Sequence, residues 1–187
     1  MNTMVVGVDA SLSCTGIVVG DSPQSFIASA VKIKPMGKDM RNKFIRLKTI
    51  VNWVMEHLKD VQEPIIFIEG YGFASQSAVA QAELGGMLRV GLLSVLGEHG
   101  RLIEVPPTSI KLFVAEHGHA KKPMIAEWVK KRWDVAFKTD DECDAYGIWR
   151  FGRAYLGIDT GLSAKQAESV DKVKNPKCKV RKIKKTA

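Results

Sequence analysis

Residues 7–16 read GVDASLSCTG, and their acid, Asp9, closes an apolar run that begins at Met4 as MVVGV. Burying an unpaired carboxylate costs several kcal/mol, so a core with no use for it would neutralise or remove it. Asp9 therefore needs a reason. The apolar run reads as a β-strand, and after the turn-rich LSCTG the chain resumes as a second strand, GIVVG, breaks at GDSPQS and continues as a third, FIASAVKIK. β-Branched residues bounded by turn residues at this spacing describe a hairpin.

Further along, the period changes. Residues 38–60 place Phe44, Leu47, Ile50, Val51, Val54 and Leu58 on one side of a helix and charges on the other. Pro64 opens IIFIE, a continuous apolar run typical of a strand covered on both faces. GYGFAS leads into a long helix at 75–98, and RLIEV is the next strand before the Pro106–Pro107 break. Helices follow at 108–117, 122–133 and 141–156, the last capped by Thr139 or Asp140, and Ser163 with Gln166 has capping-box spacing for a short helix at 163–170. The order β-β-β-α-β-α-β-α-α-α predicts an α/β domain over residues 1–157, followed by an extension at 158–187. Its mixed five-stranded sheet has three antiparallel strands extended by two parallel ones, flanked by helices. No internal repeat is visible.

Alternation then assigns faces. Val5, Gly7 and Asp9 share one, as do Ile65, Phe67 and Glu69, so both acids stand at C-terminal strand ends. Parallel neighbours lie about 4.8 Å apart, and open α/β sheets place ligands outside those ends. In TDDECDAYGIW, Asp141 and Asp144 project from one helix face near an N-terminus, where negative charge is favoured. Four carboxylates can meet at one point without a His or Cys among them. That donor set suits a hard divalent cation, Mg²⁺ above all, and not zinc.

The chain of 187 residues, 45% hydrophobic, has the length and apolar content of one compact domain. Its cysteines, Cys14, Cys143 and Cys178, are widely spaced and form no CxxC pair, which fits a reducing compartment. No charged-then-apolar leader is seen and no apolar run reaches the roughly 18 residues of a membrane span, so a cytoplasmic protein without membrane contact is expected. The formal charge is +8, and its location is informative: residues 172–187 carry eight basic residues and no acid, leaving 20 basic against 20 acidic residues in the body. A basic block of this kind binds polyanions by counterion release, and nucleic acid is the expected partner.

At this point the sequence resembles the RuvC-type Holliday junction resolvases of the ribonuclease H-like superfamily. The likeness spans residues 4–156 through GVDASLSCTG, IFIEGYGFAS, PPTSIKLFVAEHGHAKK and DDECDAYGIW. It implies a ribonuclease H-like fold in which Asp9, Glu69, Asp141 and Asp144 bind two Mg²⁺ or Mn²⁺ ions. It also implies that Lys111 and Lys122, with Lys121 as the alternative for the second, approach DNA phosphate near the site. The implied activity is that of a crossover junction endodeoxyribonuclease: a homodimer, joined by the long helix after Glu69, hydrolyses four-way and branched DNA to 5′-phosphate and 3′-hydroxyl ends. The Gly70–Tyr71–Gly72–Phe73 loop and the basic tail depart from the bacterial cellular enzymes. The loop looks more like the phage-encoded branch, which acts without motor proteins in a bacterial or phage-infected cell.

Blander readings stand beside each piece. Asp9 with Ser11 can be a turn cap, Glu69 a strand-end charge, Asp141 and Asp144 favourable first-turn residues, and Lys111 a surface lysine. His117 and His119 fit a solvated loop, and Cys143 a small helix residue. Tyr71 and Phe73 either pack on the following helix or stack on an unpaired base as DNA-binding residues. Rival functions are another ribonuclease H-like nuclease acting on RNA–DNA hybrids or flaps, a non-catalytic branched-DNA-binding module, and an actin-like or sugar-kinase ATPase. The last needs more chain than this sequence has.

Overall fold

The computed structural model describes residues 3–71 and 78–176. Its first strand, β1 (Val5–Asp9), is buried along its whole length. β2 (Thr15–Ser22) turns back on β1, and β3 (Ser25–Val31) turns back on β2, all antiparallel. α1 (Met40–Leu58) then crosses to β4 (Ile65–Glu69), parallel to β1, and α2 (Ala78–Leu93) crosses to β5 (Arg101–Val105), parallel to β4. The sheet order is β3-β2-β1-β4-β5, the mixed five-stranded arrangement that the sequence predicts. α3 (Pro107–Ala115), α4 (Lys122–Trp133), α5 (Asp140–Tyr155) and α6 (Ala164–Lys174) follow. No helix among the described residues is long and apolar enough to cross a membrane.

The period-2 alternation of β1 and β4 builds a core on each face of the sheet. Val6, Val8, Ile66 and Ile68 pack against α1 and α2 through Leu47, Ile50, Val54, Leu84 and Leu88. Phe44 is not part of that core; it lies 42% exposed. Val5, Phe67 and Val105 face the other way and meet Phe113, Tyr146, Trp149 and Phe151. Each large side chain so buried contributes about 1.5–3 kcal/mol. Trp149 also donates its indole N–H to the carbonyls of Val5 (3.1 Å) and Gly20 (3.2 Å), tying α5 to two strands at once.

α5 can lie this close because β1 and β2 carry glycines beneath it. A Cβ on Gly7 would fall 2.5 Å from the Ala145 carbonyl oxygen, and one on Gly16 would fall 2.1 Å from that of Asp141. Backbone packs on backbone here, and the first turn of α5 is thereby held over the C-terminal end of β1. Thr139, not Asp140, is the cap: its hydroxyl accepts from the Glu142 amide, and the Glu142 carboxylate accepts from the Thr139 amide, each at 3.1 Å.

Several bounds differ from the sequence reading, each for a local reason. α2 stops at Leu93 because Ser94 and Val95 turn back to the carbonyls of Gly91 and Leu92, and Gly97 takes a positive φ of 65°. β3 ends at Val31, and the Ile33 carbonyl accepts from the Arg46 guanidinium at 2.7 Å instead of continuing a strand ladder. α6 runs on to Lys174 because it packs on α3: Val170 enters the core, and the buried Ser169 hydroxyl donates to the Ser109 carbonyl at 2.8 Å. Of the basic tail, Lys172 and Lys174 belong to α6, while residues 177–187 lie outside the described residues.

Candidate functional site

In the parallel pair β1–β4, Val5 lies opposite Ile65 and Val8 opposite Ile68, a register that leaves Asp9 and Glu69 level at neighbouring strand ends. The first turn of α5, seated over the same ends, adds Asp141 and Asp144. Asp9, Glu69, Asp141 and Asp144 all line one cavity of about 640 Å³, joined by Lys111 from α3 and Lys122 from the start of α4. Three separate stretches of sequence thus deliver their acids to one place.

Their electrostatics are those of like charges crowded away from water. Asp9, 8% exposed, has its carboxyl held well above the usual carboxylate range, first by burial and then by Glu69, Asp144 and Asp141. Burial, and then Asp144, pushes Glu69 up to about 7, against the opposing pull of Lys111 and Lys122. Asp144 is raised by burial, with Lys122 opposing. The Lys122 ammonium stands 3.6 Å from a carboxylate oxygen of Asp141 and 3.6 Å from one of Asp144. Burial pulls that ammonium down, but Asp144, Asp141, Asp9 and Asp140 together outweigh it and hold it above an ordinary lysine.

An excess of negative charge on oxygen donors, with neither His nor Cys supplied as a ligand, fits a hard divalent cation. As the side chains stand, no three His, Cys, Asp or Glu of the described residues close into a cage. Mg²⁺ does not ask for one, since it keeps several waters and binds directly to one or two carboxylates plus substrate oxygens. The open array around Lys122 is compatible with that demand.

The cavity also shows where the residues of the open alternatives lie. Lys121 and Lys122 are both exposed and both line the cavity, and the Lys122 ammonium is the one that stands 3.6 Å from Asp141. Tyr71 packs on the following helix, its ring 4.2 Å from the Arg89 guanidinium. Phe73 lies outside the described residues. The Cys143 thiol is buried and pushed up to about 12, chiefly by burial and then by Asp144 and Asp140, in keeping with a small helix residue. His117 is exposed; His119 sits exposed on the cavity rim, their rings 6.1 Å apart.

Sequence reasoning passes over three further residues. Cys14 hydrogen-bonds to Asp141, and burial together with that bond pushes its thiol up to about 11. Gln81 and Arg89, both from α2, line the cavity on the side of Asp9 and Glu69. Their only signal in the chain is a polar residue at 81, a glycine at 85 and an arginine at 89, a helical i, i+4, i+8 stripe.

No protein-family model matches the sequence, and no curated protein matches it. Likeness appears in three dimensions. The chain is similar to a structure of Thermus thermophilus RuvC, with a TM-score of 0.62 at 22% identity over 83% of this chain and 98% of that one. A structure of T. thermophilus RuvC in complex with Holliday junction substrate gives a TM-score of 0.60 at 21% identity, over 83% of this chain and 95% of that one. With the sheet order and flanking helices, this likeness establishes an α/β ribonuclease H-like fold.

Proposed function

We propose that this protein is a metal-dependent, structure-selective endonuclease that resolves Holliday junctions and other branched DNA by paired phosphodiester hydrolysis. The observation that carries the reading is the convergence of Asp9, Glu69, Asp141 and Asp144 on one cavity. It is supported by the similarity in fold to T. thermophilus RuvC, a protein solved with a Holliday junction substrate.

In this reading the four acids hold two Mg²⁺ or Mn²⁺ ions. When bound, the ions supply a nucleophile at neutral pH and Lewis-acid stabilisation of the departing 3′ oxygen, which leaves 5′-phosphate and 3′-hydroxyl ends. The chain's own residues do the rest. Asp9 and Glu69 give up protons that burial and crowding otherwise retain. Lys122, which now balances Asp141 and Asp144, is placed to exchange those partners for substrate phosphate, and Lys111 offers a second cation on the α3 side. Together they oppose the charge that builds on the phosphorus oxygens in the transition state. Lys121 and the basic tail track the DNA backbone; Tyr71 keeps a place in the cavity wall beside the DNA path.

Two cuts on opposing strands require two such sites, which a C₂ homodimer supplies. On α2, Val79, Val90 and Leu93 are exposed by 75%, 71% and 58%, and a Cβ on Gly86 would meet no atom of another described element within 4 Å. That face supports the dimer reading. The cytoplasm of a bacterial or phage-infected cell is the setting we assign, with the phage-like loop the reason for expecting action without motor proteins.

One experiment tests the reading: Mg²⁺-loaded protein is incubated with a four-way junction, a flap, a linear duplex and an RNA–DNA hybrid. Preferential cutting of the junction is expected. Cutting of the hybrid alone, or binding of the junction without cutting at any metal concentration, overturns it.

A further inference from the structure

We infer that Gln81 and Arg89 of α2 are positioning residues that hold the two strand ends bearing Asp9 and Glu69 in place for metal binding, an inference that rests on the nuclease reading above. Asp9 and Glu69 each stand at the last residue of a strand, one step past the last β1–β4 pair, Val8 with Ile68, and only the outer strands still pair with them, Gly16 with Asp9 and Val105 with Glu69. Asp9 also lies in the repulsive field of Glu69. Between them the two ends are free to splay unless side chains tie the chain just beyond them; beyond Glu69 the Gly70 N–H makes one backbone tie, to the Val105 carbonyl at 2.8 Å.

Gln81 supplies the tie after Asp9. Its amide N–H donates to the carbonyl of Ala10, while its amide oxygen accepts from the backbone N–H of Leu12 at 3.4 Å. A primary amide offers both a donor and an acceptor, so one side chain grips the loop on both sides, as a neighbouring strand would. Arg46 of α1 takes the Leu12 carbonyl from the opposite side. The loop that leaves Asp9 is thereby fastened to two helices.

Arg89, two turns further along α2, serves Glu69. Its guanidinium donates to the Gly85 carbonyl at 3.0 Å and to the Glu69 carbonyl at 3.4 Å. It also pairs with the Glu104 carboxylate of β5 at 2.6 and 3.2 Å. The Tyr71 ring lies against its flat face. The backbone of the second acid is thus joined to a helix, to the adjacent strand and to the loop that follows. Gly85 makes room for the stack: a Cβ there would fall 2.6 Å from the Tyr71 ring and 2.9 Å from the Arg89 guanidinium. A glycine inside a helix costs about 1 kcal/mol relative to alanine, and the stack accounts for its presence. Arg89 is 19% exposed and already balanced by Glu104, which places its charge in the protein and not on substrate.

Full-length wild type, Gln81→Leu, Arg89→Met, Arg89→Lys and the double variant Arg89→Met/Glu104→Gln are titrated with Mn²⁺, the free ion being counted by electron paramagnetic resonance. Groups that orient metal ligands typically account for 10–100-fold in metal affinity. About a tenfold weaker Mn²⁺ affinity is expected for every variant, with junction binding in Ca²⁺ within about twofold of wild type and the metal-free melting temperature little changed. The double variant, which leaves no orphaned Glu104, separates loss of the tie from loss of the fold. Arg89→Lys keeps the charge but not the planar fork or the stack, so it should behave like Arg89→Met. Wild-type affinity in Gln81→Leu and Arg89→Met, or full rescue by Arg89→Lys, overturns the inference and leaves the nuclease reading intact. A wild type that binds no Mn²⁺ overturns both.

Discussion

The Glu69 carboxyl, pushed up to about 7 by burial and by Asp144, keeps its proton in the folded chain at pH values where the unfolded chain has lost it. The folded state therefore binds more protons than the unfolded one from about 4.5 up to about 7. Stability of the metal-free protein must fall as pH rises through that window. Asp9 and Asp144, raised in the same direction, add to the slope. A thermal midpoint that declines from pH 5 to 7.5 without metal is expected, with a shallower decline in Glu69→Gln. Added Mg²⁺ should restore more stability at pH 7.5 than at pH 5, because the ion binds the deprotonated acids. A flat profile, or one rising with pH, would show that the acids are not crowded in solution. The same crowding predicts the effect of neutral isosteres. Asp9→Asn, Glu69→Gln, Asp141→Asn and Asp144→Asn should each cut junction cleavage to about a hundredth or less, since charge stabilisation by the ions is worth several kcal/mol. Binding should hold or tighten as repulsion against phosphate falls. Wild-type cleavage rates in two of the four would remove them from the site.

Among the elements, α5 has the most to do, since its body fills the core and its first turn carries Asp141 and Asp144. Thr139→Ala removes one half of its capping box and should cost about 1 kcal/mol of unfolding free energy in urea; an unchanged midpoint would mean the first turn is held by packing alone. The sequence left that cap between Thr139 and Asp140, whereas β4 and β5 with their parallel order were legible, because an apolar run between breakers is a local signal. The level placement of Asp9 and Glu69 followed from alternation along each strand and needed only a parallel pairing to become geometry. α2 was legible as a helix and not as a support. Its small residues Ala78, Ala82, Gly85 and Gly86 suggest a single stripe for another helix, yet Gly85 turns inward to admit Tyr71 and Arg89, while Gly86 faces away from every other described element. Which way each glycine turns depends on partners more than ten residues distant. The sequence put Lys122 first with Lys121 as its alternative, and their placement beside the acids rests on where α4 begins relative to α5.

For the whole molecule, charge is divided unevenly, and the division can be tested without touching the cavity. Deleting residues 177–187 removes six basic residues beyond α6. Every DNA phosphate that the shortened chain no longer neutralises should lower the slope of log affinity against log salt by roughly 0.9, with cleavage at low salt retained. An unchanged slope would mean that the tail does not meet DNA. Symmetry is the larger question. The acid cavity lies at the strand ends where α2 presents Gln81 and Arg89, and the outward side of that same helix exposes Val79, Val90 and Leu93 around Gly86. A second copy packed there would relate two cavities by a two-fold axis, matching a four-way junction whose opposing strands are also related by a two-fold. It would also load the helix that ties Asp9 and Glu69, so loss of the partner should weaken metal binding as well as pairing of the cuts. Val90→Glu, set in the exposed face, is expected to shift sedimentation at micromolar concentration from dimer to monomer and to uncouple the nicks on a junction labelled strand by strand. A wild type that sediments as a strict monomer and nicks a single strand would refute the dimer and leave a branch-nicking nuclease.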